Sequence, residues 1–166
     1  MATITLQGNE IHTIGDLPKV GESAPDFILV NSELNNVSLK DFEKKNIILN
    51  IIPSLDTPVC QKSTKLFNQK ASDIDQTVIL AVSADLPFAM KRFCSSENLD
   101  NIIPLSMMRS RNFAKDYGVL IEDGPLAGIT ARAVIAINKE NNVIYTQLVN
   151  EITDEPDYNS VLDSLK

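Results

Sequence analysis

One histidine, His12, and two cysteines, Cys60 and Cys94, are all this chain offers by way of soft or imidazole ligands. A lone histidine and two distant cysteines do not make a metal cluster, so no metal site is expected. Neither cysteine has a histidine nearby in sequence to act as its base, which argues against a cysteine protease or acyltransferase. None of the six glycines falls in a GxGxxG or GxxxxGK pattern, so nothing marks a dinucleotide or nucleoside triphosphate cofactor. The four arginines are scattered through a chain of net charge −7, which leaves no basic patch to follow a nucleic-acid backbone. No segment approaches the ~18 consecutive apolar residues of a membrane span. The first eight residues, MATITLQG, lack the positive start and apolar core of an export signal, and a cytoplasmic protein is expected. In a compartment that keeps thiols reduced, two cysteines read as transient redox chemistry more readily than as a structural bridge.

The chain that remains is long enough, at 166 residues, to bury a core without staples, and we expect one domain over residues 1–166. Residues 3–6 alternate apolar and polar, turn at Gln7 to Glu10 and return through Ile11 to Ile14, the pattern of a β-hairpin over about 3–14. Phe27 to Val30 reads as a strand and Leu39 to Phe42 as a short helical turn. Regular alternation follows: strand 46–52, a helix from about Cys60, strand 77–83, a helix from Pro87 to about Glu97, and a helix capped by Ser110 through Tyr117. Strands 132–137 and 143–148 then form a hairpin around Asn138 to Asn142, and a helix from about Asp157 to Leu165 closes the chain. Parallel β-α-β units feeding an antiparallel hairpin predict an α/β, thioredoxin-like three-layer sandwich with a mixed central sheet and an added N-terminal hairpin.

The stretch Pro53-Ser54-Leu55-Asp56-Thr57-Pro58-Val59-Cys60 carries the chemistry. The run Asn46 to Ile52 fills a buried strand and Pro53 stops it. Downstream, Leu66 and Phe67 fall on one side of an amphipathic helix. A cysteine in the first turn of that helix meets unpaired N–H groups and the positive end of the dipole, both of which favour thiolate over thiol. An ordinary cysteine is only about 3% thiolate at pH 7, and one helix dipole is too weak to change that alone. A cation is therefore expected beside Cys60. The plain reading of Cys60 is a small buried hydrophobe, but it follows a proline-flanked polar turn, not an apolar periodic face. Thr57 lies three residues earlier, where a hydroxyl can orient a substrate oxygen, and Pro58 suits a first helical turn.

Arg132 is the candidate cation, because it leads a strongly apolar strand, Ala133 to Ile137, and stays charged with planar donors. Arg92 is the runner-up, on a helix where it more readily faces solvent. Cys94, thirty-four positions after Cys60, reads either as a packed helix residue or as the partner that resolves an oxidised Cys60. His12 reads as a surface residue, and the acidic run Glu151 to Asp157 as a solvated loop capping the last helix.

These residues resemble the bacterial thiol peroxidases, which are atypical two-cysteine peroxiredoxins. The likeness spans nearly the whole chain. Pro53, Thr57 and Cys60 match the peroxiredoxin pattern PxxxTxxC. Ser83 to Ala89 with Arg92-Phe93-Cys94 resembles the segment of the resolving cysteine, Gly128 to Val134 the active-site arginine segment, and Glu151 to Tyr158 the C-terminal signature. Asn138 departs from the aspartate expected after the arginine strand. The resemblance implies that Cys60 attacks a peroxide and becomes sulfenic acid, that Thr57 hydrogen-bonds the peroxide, that Arg132 stabilises the thiolate and the transition-state charge, and that Pro53 shields the pocket. It also implies an intramolecular Cys60–Cys94 disulfide reduced by thioredoxin, a homodimer, and a preference for alkyl hydroperoxides. The alternative from another class is a non-catalytic redox sensor or partner-binding module, in which the same disulfide switches a surface without turnover; a thioredoxin-type oxidoreductase is disfavoured by the absence of CxxC spacing.

Overall fold

The computed structural model describes residues 1–71 and 74–166. Its main sheet is built on β5 (Asn46–Ile51), β6 (Thr77–Ser83) and β7 (Ile102–Ser106), which run parallel in the order β7-β6-β5. Antiparallel strands extend both sides: β8 (Ala133–Ile137) and β9 (Val143–Leu148) beyond β5, and β3 (Leu29–Val30) and β4 (Asn36–Val37) beyond β7, giving the order β4-β3-β7-β6-β5-β8-β9. A separate two-stranded sheet pairs β1 (Thr3–Leu6) with β2 (Asn9–His12). The expected thioredoxin-like architecture, mixed sheet and added hairpin are all present.

Successive side chains of the central strands divide between two cores. Leu49, Ile51, Leu80 and Val82 face one side, under the 3₁₀ turn Leu39–Phe42 and α3 (Asn112–Asp116). Ile48, Ile79, Ala81 and Val134 face the other, under α1 (Pro58–Ala71), α2 (Pro87–Ser96) and α4 (Tyr158–Asp163). Coverage on both faces explains why β5 reads as a nearly continuous apolar run.

Several boundaries differ from the sequence expectation. The strand at 27–30 shortens to Leu29–Val30 and gains a partner, β4, that the pattern does not reveal. β7 is not expected, because Pro104 interrupts its apolar run; it pairs with β6 along five positions but with β3 at only Val30↔Ser106, so a residue without N–H is tolerated. The helix after Ser110 begins at Asn112, whose N–H donates to Ser110 Oγ at 3.0 Å. The expected aspartate role at position 138 is filled by asparagine: Asn138 Oδ1 accepts from the N–H groups of Glu140 and Asn142, closing the β8-β9 turn. Among the described residues no helix is long and apolar enough to cross a membrane.

The N-terminal hairpin turns at Gln7 (φ 52°) and Gly8 (φ 81°), a two-residue left-handed turn tighter than the four residues expected. Glu151 holds that turn: its carboxylate accepts from Thr5 Oγ1 at 2.7 Å and from the N–H groups of Gln7 and Gly8 at 3.0 and 3.1 Å. These donors, the Thr5 hydroxyl foremost, pull its carboxyl down to about 2. The acidic run is thus a seam between hairpin and sheet, not the simple solvated loop expected, although Asp157 does cap α4 by accepting from Ser160 N.

Candidate active site

The carboxyl end of β5 delivers the chain into a pinned turn. Ile52 donates its N–H to Val82 O at 3.0 Å, Pro53 is buried, and Asp85, just past the end of β6, gathers the residues after Pro53. Its carboxylate accepts from Ser54 Oγ at 2.8 Å, Leu55 N at 2.7 Å and Ser83 Oγ at 2.7 Å, while its own carbonyl accepts from Ser106 Oγ. The turn therefore has one shape, set from the neighbouring strand. Thr57 Oγ1 donates to Ser54 O at 3.1 Å, so the hydroxyl proton is committed and its lone pairs remain to accept from an incoming O–H.

α1 starts at Pro58 and takes its first backbone bond from Gln61 N to Thr57 O, at 3.0 Å. Cys60, the third residue, lies within this opening turn and is wholly removed from solvent, packed with Ile52, Leu55 and Met90. The buried face of α1 then carries Ser63, Thr64 and Phe67; Leu66 is only half-buried, so the apolar side expected from Leu66 and Phe67 is partly polar. Both hydroxyls donate back to Cys60 O, at 3.2 and 2.8 Å, which satisfies them inside the helix.

Arg132 reaches this place along the β5-β8 seam. The last ladder pair is Ile51↔Ala133, and one further step in that register sets Arg132 opposite Ile52. Thr130 Oγ1 donates to Ile52 O at 2.9 Å and fastens the incoming loop to the end of β5. Arg132 is only 2% exposed, its Nε donates to Ile152 O at 2.9 Å, and its Nη1 has no hydrogen-bond partner among the described residues. Ile152 is held by the hairpin, since its N–H donates to Thr5 O. Glu155, held below the ordinary carboxylate value mainly by its 3.1 Å contact with Lys62, also feels the Arg132 charge.

Cys94 sits on α2, half-buried against the Ile48 and Phe67 cluster, and burial pushes its thiol up to about 11. Phe93 packs against both that cluster and the one around Cys60. Both thiols are free. A cleft of about 510 Å³ opens between the start of α1 and α2, lined by Leu55, Asp56, Gln61, Arg92, Phe93 and Glu97. Arg92 is exposed there, as expected for the runner-up cation. His12 lies on the hairpin, paired at 2.6 Å with Asp123.

The structure thus brings Pro53, Thr57, Cys60 and Arg132 to one end of the sheet and leaves Cys94 in a neighbouring cluster. Sequence reasoning does not assign Asp85, Thr130 or the Ile152 carbonyl to this arrangement. For Asp85 a signal is present: an acidic residue just past the carboxyl end of a parallel strand, where sites of open α/β sheets assemble.

A thioredoxin-type sheet with a fully buried cysteine in the opening turn of the helix after β5, and a buried arginine entering the adjacent β8 at the same end, defines a peroxiredoxin-type enzyme. Residues 19–162 match the Redoxin family. Thiol peroxidases from Corynebacterium glutamicum and Mycobacterium tuberculosis are 48% and 50% identical, each over 99% of both chains. A peroxiredoxin-like protein from Aquifex aeolicus superposes with a TM-score of 0.93 at 42% identity, covering 99% of this chain and 96% of that one. A thiol peroxidase from Chromobacterium violaceum gives 0.91 at 25% identity, with 97% and 93% covered. The chain belongs to the redoxin family and, within it, to the thiol peroxidases.

Asp85→Ala removes three hydrogen bonds to one carboxylate. It should destabilise the fold by about 2 to 4 kcal/mol in urea titration. It should also slow peroxide reduction at temperatures where the protein stays folded, since Leu55 and Thr57 lose their fixed turn.

Proposed function

We propose that this thiol peroxidase reduces hydrogen peroxide and alkyl hydroperoxides with Cys60 as the attacking thiolate, and that Cys94 and thioredoxin complete the cycle. The observation that carries the assignment is the spare Nη1–H of a 98%-buried Arg132 at the end of the seam that leads to the Cys60 turn. A buried guanidinium N–H without an acceptor is costly unless an anion or a polarised oxygen is to be bound there.

The chemistry follows from the groups present. The Cys60 thiolate forms a bond to the terminal peroxide oxygen while the O–O bond breaks. The leaving oxygen takes a proton and departs as alcohol or water, and Cys60 is left as sulfenic acid. Thr57 accepts the peroxide O–H, Arg132 stabilises the charge that grows on the oxygens, and buried Pro53 shields the site from water. The Cys94 thiolate then attacks the Cys60 sulfur, the S–O bond breaks, hydroxide leaves as water, and a disulfide forms. A dithiol of the thioredoxin class reduces it by exchange, in a thiol-reducing setting such as the cytoplasm.

Two observations support a conformational step before the disulfide. Cys60 and Cys94 pack in separate clusters, and a thiol near 11 is a poor nucleophile where it sits. Unwinding the start of α1 and the end of α2 releases both sulfurs and returns Cys94 toward an ordinary thiol. A homodimer fits the two large apolar side chains left exposed at the start of α2, Leu86 at 52% and Phe88 at 64%.

Steady-state consumption of peroxide with thioredoxin, thioredoxin reductase and NADPH tests the proposal; a disulfide that forms without turnover would instead indicate a redox sensor. Cys60→Ser should show no activity above background. Cys94→Ser should give one stoichiometric burst of peroxide reduction and no thioredoxin-supported cycling. Arg132→Ala should lower the second-order rate with peroxide by about 10²- to 10³-fold, with Arg132→Lys recovering only part of it, as expected when one of several fixed donors is lost.

The pH dependence of the resolving step follows from Cys94. Its neutral thiol is the inert form, so below its pKa the rate of disulfide formation should rise about tenfold per pH unit. If attack comes from the unwound state, the rise levels off near the ordinary thiol value of about 8.5. A rise continuing to about 11 in stopped-flow single turnovers would show that Cys94 attacks from its folded seat.

A further inference from the structure

Among the buried residues of β5 one is out of character. Asn50 lies in the middle of the sheet, opposite Ala81 on β6 and Val134 on β8, with no exposure, and neither Nδ2 nor Oδ1 has a hydrogen-bond partner among the described residues. Pleat alternation gives its direction. Leu49 and Ile51 belong to the core under α3, whereas Ile48 and Ile52 belong to the clusters under α1. Asn50 therefore shares the α1 face, between Ile48, which clusters with Phe67, and Ile52, which packs with Cys60.

The roof over that face offers Asn50 little. Ser63 and Thr64, the buried polar residues of α1, both spend their hydroxyl protons on Cys60 O. Arg132, one register step beyond the Asn50↔Val134 and Ile51↔Ala133 pairs, is the other buried side chain on this face with an unused polar atom among the described residues. A buried amide without a partner costs free energy that an apolar side chain of the same shape would not. Lifting the opening turns of α1 from this face admits water to the amide and relieves the cost.

We infer that Asn50 is a positioning residue for the resolving step: it biases the start of α1 toward unwinding and so speeds closure of the Cys60–Cys94 disulfide. This rests on the disulfide cycle proposed above. Its effect is on the opening of the helix, leaving the attack of Cys60 on peroxide unchanged.

Asn50→Leu keeps the branching of the side chain without its polar atoms, and Asn50→Val offers a smaller, strand-favouring replacement. In both, the reduced protein should melt at a higher temperature, and amide hydrogen exchange across residues 59–64 should slow about tenfold. In single turnovers the peroxide-attack phase should stay within about twofold of the parent, while disulfide formation slows about tenfold. The longer-lived sulfenic acid should raise the yield of Cys60 sulfinic acid at high peroxide, read by mass spectrometry. Lower melting temperatures and faster exchange in both variants would overturn the inference, since Asn50 would then be a structural bonding residue. So would unchanged exchange and an unchanged rate of disulfide formation in a parent that does form the bond. Absence of any Cys60–Cys94 bond in the oxidised parent, by non-reducing peptide mapping, would overturn the proposed cycle and with it the role given to Asn50.

Discussion

A guanidinium withdrawn from water needs fixed oxygens in place of its hydration, and Arg132 finds one in the carbonyl of Ile152. Much of the molecule's arrangement converges on that bond. Ile152 is placed because its N–H bonds Thr5 O on β1, and β1 is placed because Glu151 fastens the hairpin turn through Thr5, Gln7 and Gly8. From the other side, the β5-β8 ladder and the Thr130 bond to Ile52 O fix where the arginine backbone leaves the sheet. The N-terminal hairpin, remote in sequence from every residue with a chemical role, thus reaches the site through one seam. With Nε anchored, Nη1 is held in one orientation, which in the proposed role of Arg132 would cost nothing more when a peroxide arrives.

The two thiols are packed in different surroundings. Burial around Cys94 holds its proton on and keeps it inert. Cys60 is packed elsewhere, among Ile52, Leu55 and Met90 in the opening turn of α1. In the roles proposed for them, a Cys60 nucleophile that faced solvent would be open to chance oxidation, and a Cys94 that was always ionised would compete for peroxide. On the proposed cycle, the separation of the pair would keep attack and resolution in order, with motion between them.

The main elements are legible in the sequence because their periods are plain. β5 and β6 are continuous apolar runs bounded by turns, α2 opens on Pro87, and β8 and β9 are joined by an asparagine-rich turn. β7 is hidden by Pro104, and β3 is shorter than its apolar run because Phe27, although buried, lies outside the ladder. Cys60, Thr57 and Arg132 can be picked out because their side-chain types stand against their surroundings. The Ile152 carbonyl cannot, since a main-chain acceptor has no letter in the sequence, and Asp85 acts on a turn thirty residues away that only the parallel pairing of β5 and β6 brings close. Asn50 is visible as a polar letter, yet the apolar residues around it dominate the run and conceal its isolation.

Asp85 and Asn50 act on neighbouring parts of the same segment in opposite senses. The Asp85 carboxylate holds Ser54 and Leu55 with charge-assisted bonds, so the chain between Pro53 and Leu55 stays attached to the end of β6. The uncompensated amide of Asn50 lies on the sheet face that α1 helps to cover, and on the inference above it weakens the seat of that helix. Unwinding on this reading starts beyond Leu55 and stops short of Phe67, whose edge-to-face contact with Tyr158 at 5.1 Å ties the middle of α1 to α4. The moving piece is then confined to roughly two turns that contain Cys60. On the proposed cycle Arg132 and Pro53 stay on the fixed side, so the cysteine would leave the site and return to the same geometry once the disulfide is reduced.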